Sequence, residues 1–530
     1  MDYLPDHLLV EIFEYLDAKN IKKVEKVCES WKQLIISSSR IMRKFTVISY
    51  EKRDDGLSFD ENSRIKENRT QQIIEQFDKL EEEMKQHSYR NIVIMFSDAS
   101  LTPRQKYLDI VGNCFTRIEK IKFVSPDNYL MMKTLSFTAT TLSELKFDPL
   151  NDDGFDGFEP VLLSKLKIIN ISKSTKILKY ILAPNVKKLV LKNCKNEEQN
   201  LEKFLENSKN LKKLEIDTEF SINLTKVPFS LECLEVTDIK SPNFLTSIKN
   251  FIIPNQNSLK ILKITQRISD CKDFLVFAIE NLKLESLECF GRLDVHEDTE
   301  ILDTMVENFT IKSLNIGFSA YNRESIVYLD NMDLKLKFIK KCTKLETLKI
   351  ALNGKFENFL KEIQDCNFKN FEVGFENSVE SNGLKYDKLE VLSVEKIKFE
   401  TELKSLVNFT AGFPNIKKLT FELLTIHNYV TIMLYHFNQI FKSCSNLEEI
   451  EIKKLSGSVD DLYESFKSEY YQLKLLKIGV TKISEARKIE DKFKDVPYKV
   501  KVFPISDLKK VEWDKFFNSY DLCIYNDDDY

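Results

Sequence analysis

One short pattern of apolar residues recurs along most of the chain and constrains its fold more than any other feature. It consists of an apolar residue, two residues of any kind, a second apolar residue, one residue of any kind and a third apolar residue. From Ile118 to Leu473 it advances 355 residues in fourteen steps, or about 25 residues a step, a period typical of stacked repeats. Its occurrences are Ile118-Ile121-Phe123, Leu142-Leu145-Phe147, Leu166-Ile169-Ile171, Val186-Leu189-Leu191, Leu211-Leu214-Ile216, Leu231-Leu234-Val236, Leu259-Leu262-Ile264, Leu284-Leu287-Cys289, Ile311-Leu314-Ile316, Leu345-Leu348-Ile350, Phe368-Phe371-Val373, Leu389-Leu392-Val394, Ile416-Leu419-Phe421, Leu447-Ile450-Ile452 and Leu473-Leu476-Ile478.

The chemistry of this pattern predicts an α/β solenoid. The last two apolar positions alternate with their neighbours, which predicts a short strand buried on one face. One such unit cannot bury its own apolar face, so neighbouring units must stack around a shared core. Helix-like segments lie between the strands, and three of them end in a small residue, Ser208, Cys342 or Cys444. We expect a curved parallel sheet on the concave face and helices on the convex face. An ordinary α/β domain would have to reproduce the pattern by chance.

The first forty-five residues carry a different pattern. Apolar residues at helical spacing predict a helix from about residue 5 to 16, with Pro5 in its first turn, where proline is tolerated. Two further short helices are predicted around residues 21–28 and 31–35. Three short helices bury only a small core, and the apolar stripe is wider than that core requires. The pattern favours a docking module over a plain helical cap on a longer fold.

The residues of this segment resemble the F-box. The string LPDHLLVEIFEYLDAKNIKKVEKVCESWKQL contains Leu4-Pro5, Asp6, Leu8-Leu9-Val10-Glu11-Ile12-Phe13 and Val27-Cys28-Glu29-Ser30-Trp31 in the order and spacing of that family. Ile41 departs from it, at a position where the family often has a second tryptophan. Members bind a Skp adaptor, which links them to a cullin scaffold. The resemblance implies that the adaptor-binding residues are Leu4, Pro5, Leu8, Leu9, Ile12, Val27, Cys28 and Trp31.

The repeats resemble the leucine-rich repeats that commonly follow an F-box. Their steps vary from 20 residues (Leu211 to Leu231) to 34 (Ile311 to Leu345). The Asn or Cys typical of that family eight places after the first apolar residue occurs at Cys194 but is missing from most units. The predicted organisation is an F-box over 1–46, a linker and capping helix over 47–88, about 15 irregular leucine-rich repeats over 89–503, and a C-terminal cap with an acidic tail over 504–530.

Composition and motifs argue against several function classes. The 79 Lys+Arg against 83 Asp+Glu give a net charge of -4, which argues against nucleic acid as the main partner. A secretory signal and a long apolar run are both missing from the sequence, so we expect an intracellular protein of the cytoplasm, the nucleus or both, without membrane contact. The ten cysteines and five histidines lack metal-ligand spacing. We predict no metal, no cofactor and no catalytic residue.

The resemblance implies the substrate-recognition subunit of a Skp–cullin–F-box ubiquitin ligase, which binds the adaptor through the F-box and an unknown protein target through the repeats. The alternatives are a ligase-independent leucine-rich-repeat scaffold and, with least support, an enzyme with an unrecognised site. Strand positions in the N-terminal half lean basic, and an acidic or phosphorylated target segment is one hypothesis for them. The simpler interpretation is that these lysines keep the strands soluble. The candidate target-binding residues are Lys120, Lys122, Lys146, Lys188, Lys192 and Lys213.

Overall fold

A computed structural model describes most of the chain and divides it into two compact units. The first unit contains Met1–Asn255 and Glu512–Tyr530, and the second contains Gln256–Val511. The described residues are 4–16, 21, 23–43, 45–49, 63–87, 89–95, 104–124, 127–148, 157–195, 198–218, 231–237, 248–250, 252–268, 271–291, 307–316, 332–352, 361–375, 385–397, 400–426, 430–466, 472–480, 483–504 and 523–526.

Helices alternate with strands in both units. The helices of the first unit are α1 (Asp6–Glu14), α2 (Glu29–Ser37), α3 (Ser39–Met42), α4 (Ser63–Gln86), α5 (Arg104–Cys114), α6 (Asn128–Thr138) and α7 (Glu198–Asn207). Those of the second unit are α8 (Cys271–Asn281), α9 (Met332–Lys341), α10 (Glu400–Thr410), α11 (Val430–Ser443), α12 (Val459–Phe466) and α13 (Ile483–Lys492). Short 3₁₀ turns occur at Phe115–Arg117, Lys176–Tyr180 and Ile253–Asn255.

The strands follow the repeat pattern. The first ten are β1 (Phe45–Ser49), β2 (Asn91–Met95), β3 (Lys120–Val124), β4 (Glu144–Asp148), β5 (Val161–Leu162), β6 (Ile168–Ser174), β7 (Ile181–Leu182), β8 (Lys188–Lys195), β9 (Lys213–Thr218) and β10 (Cys233–Thr237). The others are β11 (Ile261–Ile268), β12 (Ser286–Gly291), β13 (Ser313–Ile316), β14 (Thr347–Leu352), β15 (Asn370–Phe375), β16 (Val391–Ile397), β17 (Lys418–Ile426), β18 (Glu449–Ile452), β19 (Leu455–Gly457), β20 (Leu475–Val480), β21 (Lys499–Pro504) and β22 (Cys523–Asn526).

In the first unit the main sheet runs β22-β1-β2-β3-β4-β6-β8-β9-β10. Its pairings are parallel, except that β22 is antiparallel to β1. Equivalent pattern residues stand opposite one another, as Ile121, Leu145 and Ile169 do on β3, β4 and β6. Strands β5 and β7 form a separate two-stranded parallel sheet.

The sheet of the second unit runs β11-β12-β13-β14-β15-β16-β17-β18-β20-β21, and all of these pairings are parallel. The short strand β19 pairs with the end of β17. The register again aligns the pattern residues, for example Leu348 with Phe371 and Phe371 with Leu392.

The core of each unit lies on the side of the sheet that the pattern residues face. Ile118, Ile121 and Phe123 are buried, whereas the strand residues between them are half-buried. The small residues that end three of the helix-like segments, Ser208, Cys342 and Cys444, are buried as well. The predicted fold class, N-terminal helices followed by an α/β solenoid of parallel strands, is confirmed.

The structure adds elements before the first predicted repeat and after the last one. Helix α4, Ser63–Gln86, lies in the segment 47–88 that was predicted to hold a linker and a capping helix. Strand β1 pairs with β2, so the sheet includes a strand before residue 89, where the predicted repeats begin. Strand β22 lies at the same end, because it pairs with β1. The remainder of the predicted C-terminal cap and tail, 505–522 and 527–530, lies outside the described residues.

Candidate protein-binding surfaces

One side of the N-terminal helix exposes large apolar residues. Leu4, Leu8 and Ile12 are 39%, 36% and 47% exposed. The spacing of four residues places Leu8 and Ile12 on one face of α1, and Leu4 immediately precedes the N-cap residue of that helix. Val27, in the turn before α2, is 63% exposed. Apolar residues that are contiguous and exposed are characteristic of interaction sites, whereas single exposed apolar residues are ordinary. We call Leu4, Leu8 and Ile12 the α1 apolar face.

The opposite side of α1 forms the core of the N-terminal helices. Leu9 and Phe13 are 5% and 3% exposed, and α1 packs against α2 and α3. The Phe13 ring meets the ring of Trp31 in an edge-on contact with centroids 5.3 Å apart. Ile41, which stands where a tryptophan was expected from the resemblance, is fully buried. These apolar contacts hold α1 in place and direct its other face outward.

The structure separates the predicted adaptor residues into two groups. Pro5 precedes α1 and is exposed, and its carbonyl accepts hydrogen bonds from the backbone N–H groups of Leu8 and Leu9 at 2.9 and 3.2 Å. Cys28 is exposed at the start of α2. Leu9 is buried and Trp31 is half-buried, so these two contribute to the helical core in the chain by itself.

A two-point ion pair joins the end of these helices to the repeat sheet. The Arg43 Nε and Nη2 atoms donate to Glu119 Oε2 and Oε1 at 2.9 and 2.8 Å. The Asn91 side-chain amide donates to the Arg43 carbonyl oxygen at 2.8 Å. The hydrogen bond to Glu119 raises the pKa of the Arg43 guanidinium. Paired N–H···O bonds of this kind fix orientation as well as distance.

A second contact in the same region surrounds His87 at the end of α4. One ring nitrogen lies 3.2 Å from a Glu83 carboxylate oxygen, and the other lies 3.8 Å from Glu25, which belongs to the N-terminal helices. The Tyr89 hydroxyl donates to Glu83 Oε2 at 3.1 Å, and burial, with the charge of Glu83, raises the pKa of Tyr89. This contact was not predicted from the sequence, because residues 47–88 were assigned to a linker and cap and His87 was given no role.

Four of the six candidate target-binding lysines form ion pairs on the exposed face of the first sheet. Glu144 lies 3.8 Å from Lys120 and 3.2 Å from Lys146. Glu215 lies 3.0 Å from Lys188 and 2.6 Å from Lys213. These glutamates occupy the same face as the lysines, so this surface alternates in charge.

Lys122 and Lys192, the other two candidates, have different neighbours. Lys122 stands directly opposite Lys146 in the β3–β4 register. Burial, reinforced by the charge of Lys146, lowers the pKa of Lys122. Lys192 is exposed and stands opposite Asp217. Two candidate lysines thus stand opposite each other at two places in the sheet, Lys122 with Lys146 and Lys188 with Lys213.

The described residues contain no group of three His, Cys, Asp or Glu side chains that could hold a metal ion. Burial raises the pKa of the Cys342 and Cys444 thiols to about 12, so both are protonated near neutral pH. Within the same described ranges, no helix has the length and apolar character that spanning a membrane requires.

Comparison with known proteins identifies the N-terminal part. Residues 1–47 match the model of the family described as F-box-like, so the helices that carry the α1 apolar face form an F-box-like domain. No curated protein matches the chain. The match covers only this N-terminal segment, and the repeats that follow are characterised by their parallel sheets and alternating helices.

Proposed function

We propose that this chain is the substrate-recognition subunit of a Skp–cullin–F-box ubiquitin ligase, with leucine-rich repeats as its target-binding part. The observation that carries the proposal is the α1 apolar face within the F-box-like domain. Its side chains are exposed, whereas Leu9, Phe13 and Ile41 beneath them are buried. A partner that covers them gains the burial of three apolar residues, each worth about 1 kcal/mol or more.

Within this proposal, Leu4, Pro5, Leu8 and Ile12 contact the Skp adaptor directly, and Val27 and Cys28 extend the surface. Leu9 and Trp31 support this surface without contacting the adaptor, because their packing in the helical core fixes the orientation of α1. This assigns six of the eight predicted residues to contact and two to support.

The repeats hold the target on the exposed face of the sheets. An acidic or phosphorylated segment would have to compete with Glu144 and Glu215 for most of the candidate lysines. We place the anchor at Lys122 and Lys146, which stand opposite each other in the β3–β4 register, because like charges in register are unfavourable until an anion arrives. An anion bound there also competes with Glu144 for Lys146. If Lys122→Glu/Lys146→Glu captures the same proteins as wild type and as the control Lys203→Glu/Lys209→Glu, this part of the proposal is wrong.

The mechanism is positioning. The adaptor fixes one end of the chain, the repeats hold a target, and the resulting effective concentration near the charged conjugating enzyme promotes transfer. We assign no catalytic residue to this chain, since the chemistry belongs to the conjugating enzyme.

Co-expression of the tagged full chain with a Skp adaptor and a cullin tests the proposal. Wild type should capture both proteins, and Leu8→Asp/Ile12→Asp should capture neither. Capture of the adaptor without the cullin would instead support a ligase-independent scaffold. If wild type captures neither protein, the proposal is overturned.

A further inference from the structure

A second exposed apolar surface lies in the first unit, where short strands replace helices between the strands of the main sheet. Leu162 of β5 and Leu182 of β7 stand directly opposite each other, and the Leu163 N–H donates to the Leu182 carbonyl oxygen at 2.8 Å. Leu162 is 57% exposed and Leu182 is 40% exposed. Two leucines thus lie side by side on a small sheet in which Ile181 is buried and Val161 half-buried, and Leu163, which follows β5, is buried.

Aromatic residues extend this surface. Tyr129 of α6, which packs beside β5, is also exposed. The half-buried Phe158 ring lies 6.4 Å from the Tyr129 ring and 6.5 Å from that of Tyr180, which immediately precedes β7. We define the Leu162–Leu182 patch as Tyr129, Phe158, Leu162 and Leu182. Other exposed apolar residues, such as Ile253, are not part of it.

Cations surround the aromatic part of the patch. The Arg104 Cζ and Lys133 Nζ atoms each lie 5.7 Å from the Tyr129 ring centroid, and Lys179 Nζ lies 5.2 Å from that of Tyr180. Arg104 is also paired with Asp127 at 3.0 Å. The described segments that carry the patch residues, 127–138 and 157–182, contain more cations than carboxylates, namely Lys133, Lys165, Lys167, Lys173, Lys176 and Lys179 against Asp127 and Glu159.

We propose that the Leu162–Leu182 patch binds a partner protein segment that combines apolar side chains with Asp or Glu. The paired leucines and the aromatic rings supply an apolar contact, and the surrounding lysines favour an acidic segment. A second copy of this chain fits less well, because face-to-face pairing would bring Lys133 and Lys179 against the same cations of the other copy. The patch is separate from the α1 apolar face and from the exposed face of the main sheet.

Peptide binding to the purified full chain tests this assignment. The probes are fluorescently labelled twelve-residue peptides that contain two leucines and from zero to four glutamates, titrated by fluorescence anisotropy. Affinity should rise with each glutamate and fall as salt is added. Leu162→Ser/Leu182→Ser should weaken binding about tenfold or more. Ile253→Ser, which alters an exposed isoleucine outside the patch, should leave binding unchanged.

Reversing the charge of two lysines beside the patch gives a second test of the same proposal. Lys133→Glu/Lys179→Glu should lose the preference for glutamate-rich peptides while melting at the temperature of wild type. Three results would overturn the proposal: affinity that does not depend on glutamate number, binding that survives the leucine substitutions, or no peptide binding at all. A dimer in sedimentation equilibrium that Leu162→Ser/Leu182→Ser disperses would assign the patch to a second copy. Flotation of wild type with phosphatidylserine vesicles, lost in the same variant, would assign it to a membrane surface.

Discussion

Two hydrogen bonds of 2.8 and 2.9 Å join the guanidinium of Arg43 to the carboxylate of Glu119, which lies 76 positions further along the chain. Arg43 follows the last helix of the F-box-like domain, and Glu119 directly precedes β3 of the repeat sheet. This ion pair therefore connects the domain that carries the α1 apolar face to the part that we propose holds the target. A positioning mechanism requires a connection with a fixed orientation.

We expect Arg43→Met to lower the free energy of unfolding of the first unit by about 1 kcal/mol, a modest value because the guanidinium is half exposed. Backbone amides of β1, two residues further on, should exchange with solvent faster. Urea unfolding and hydrogen exchange measure the two effects. Arg117→Met, which removes an exposed arginine nearby, is the control. Equal exchange in β1 for both variants would show that the ion pair does not hold the joint.

Adjacent leucines in α1 should behave differently when each is replaced by alanine. Leu9 is buried, so Leu9→Ala should destabilise the F-box-like domain by about 2–4 kcal/mol. Leu8 is exposed, so Leu8→Ala should leave the melting temperature nearly unchanged and weaken adaptor binding instead. Thermal melts followed by circular dichroism, together with adaptor titrations, separate the effects. Equal loss of stability in both variants would contradict the orientation of α1.

The solenoid could be predicted from the sequence because the apolar positions of the repeat pattern are the positions that are buried. Ile121, Leu145 and Ile169 were predicted to face the core, and they stand opposite one another in adjacent strands. Strand β1 and the small β5–β7 sheet were missed, since two- to five-residue strands outside the pattern give no periodic signal. The difference between Leu8 and Leu9 also required the structure, because both are apolar and only the packing of α1 shows which one is covered.

Hydrogen bonds between successive turns were also missed. The Asn or Cys expected eight places after the first apolar residue occurs at Cys194, whose Sγ donates to the Ile171 carbonyl oxygen of the neighbouring strand at 3.7 Å. The structure also links turns before the strands, where Asn210 donates to Asn185 and Asn446 donates to Asn415, at 3.2 and 3.1 Å. Each of these residues immediately precedes the first apolar residue of a pattern, a signal that was present in the sequence.

The ion pairs of Glu215 predict a pH-dependent contribution to stability. Burial alone would raise the pKa of Glu215, but hydrogen bonds from Lys213 and Lys188 outweigh burial and lower it. A carboxyl with a lowered pKa in the folded state contributes stability above its unfolded pKa of about 4.3 and loses that contribution as the pH falls through the folded value. Glu215→Gln should therefore cost about 0.5–1 kcal/mol at pH 7 and progressively less under acid conditions.

Urea unfolding of wild type and Glu215→Gln between pH 7 and pH 3 measures this difference. Glu232→Gln is the control, because Glu232 forms its ion pair with Lys212 at a more exposed position. A stability difference for Glu215→Gln that stays constant over the whole pH range would show that the ion pairs do not supply it.

The most direct test of the central claim is calorimetric titration of a Skp adaptor into wild type, Ile12→Asp and Ile253→Asp. Ile12 and Ile253 are 47% and 48% exposed, so the two substitutions impose similar changes on the chain by itself. We predict that wild type and Ile253→Asp bind with the same affinity and that Ile12→Asp binds about 100-fold more weakly or not at all. Equal binding by all three proteins, or none by wild type, would contradict the assignment of the α1 apolar face as an adaptor-binding surface.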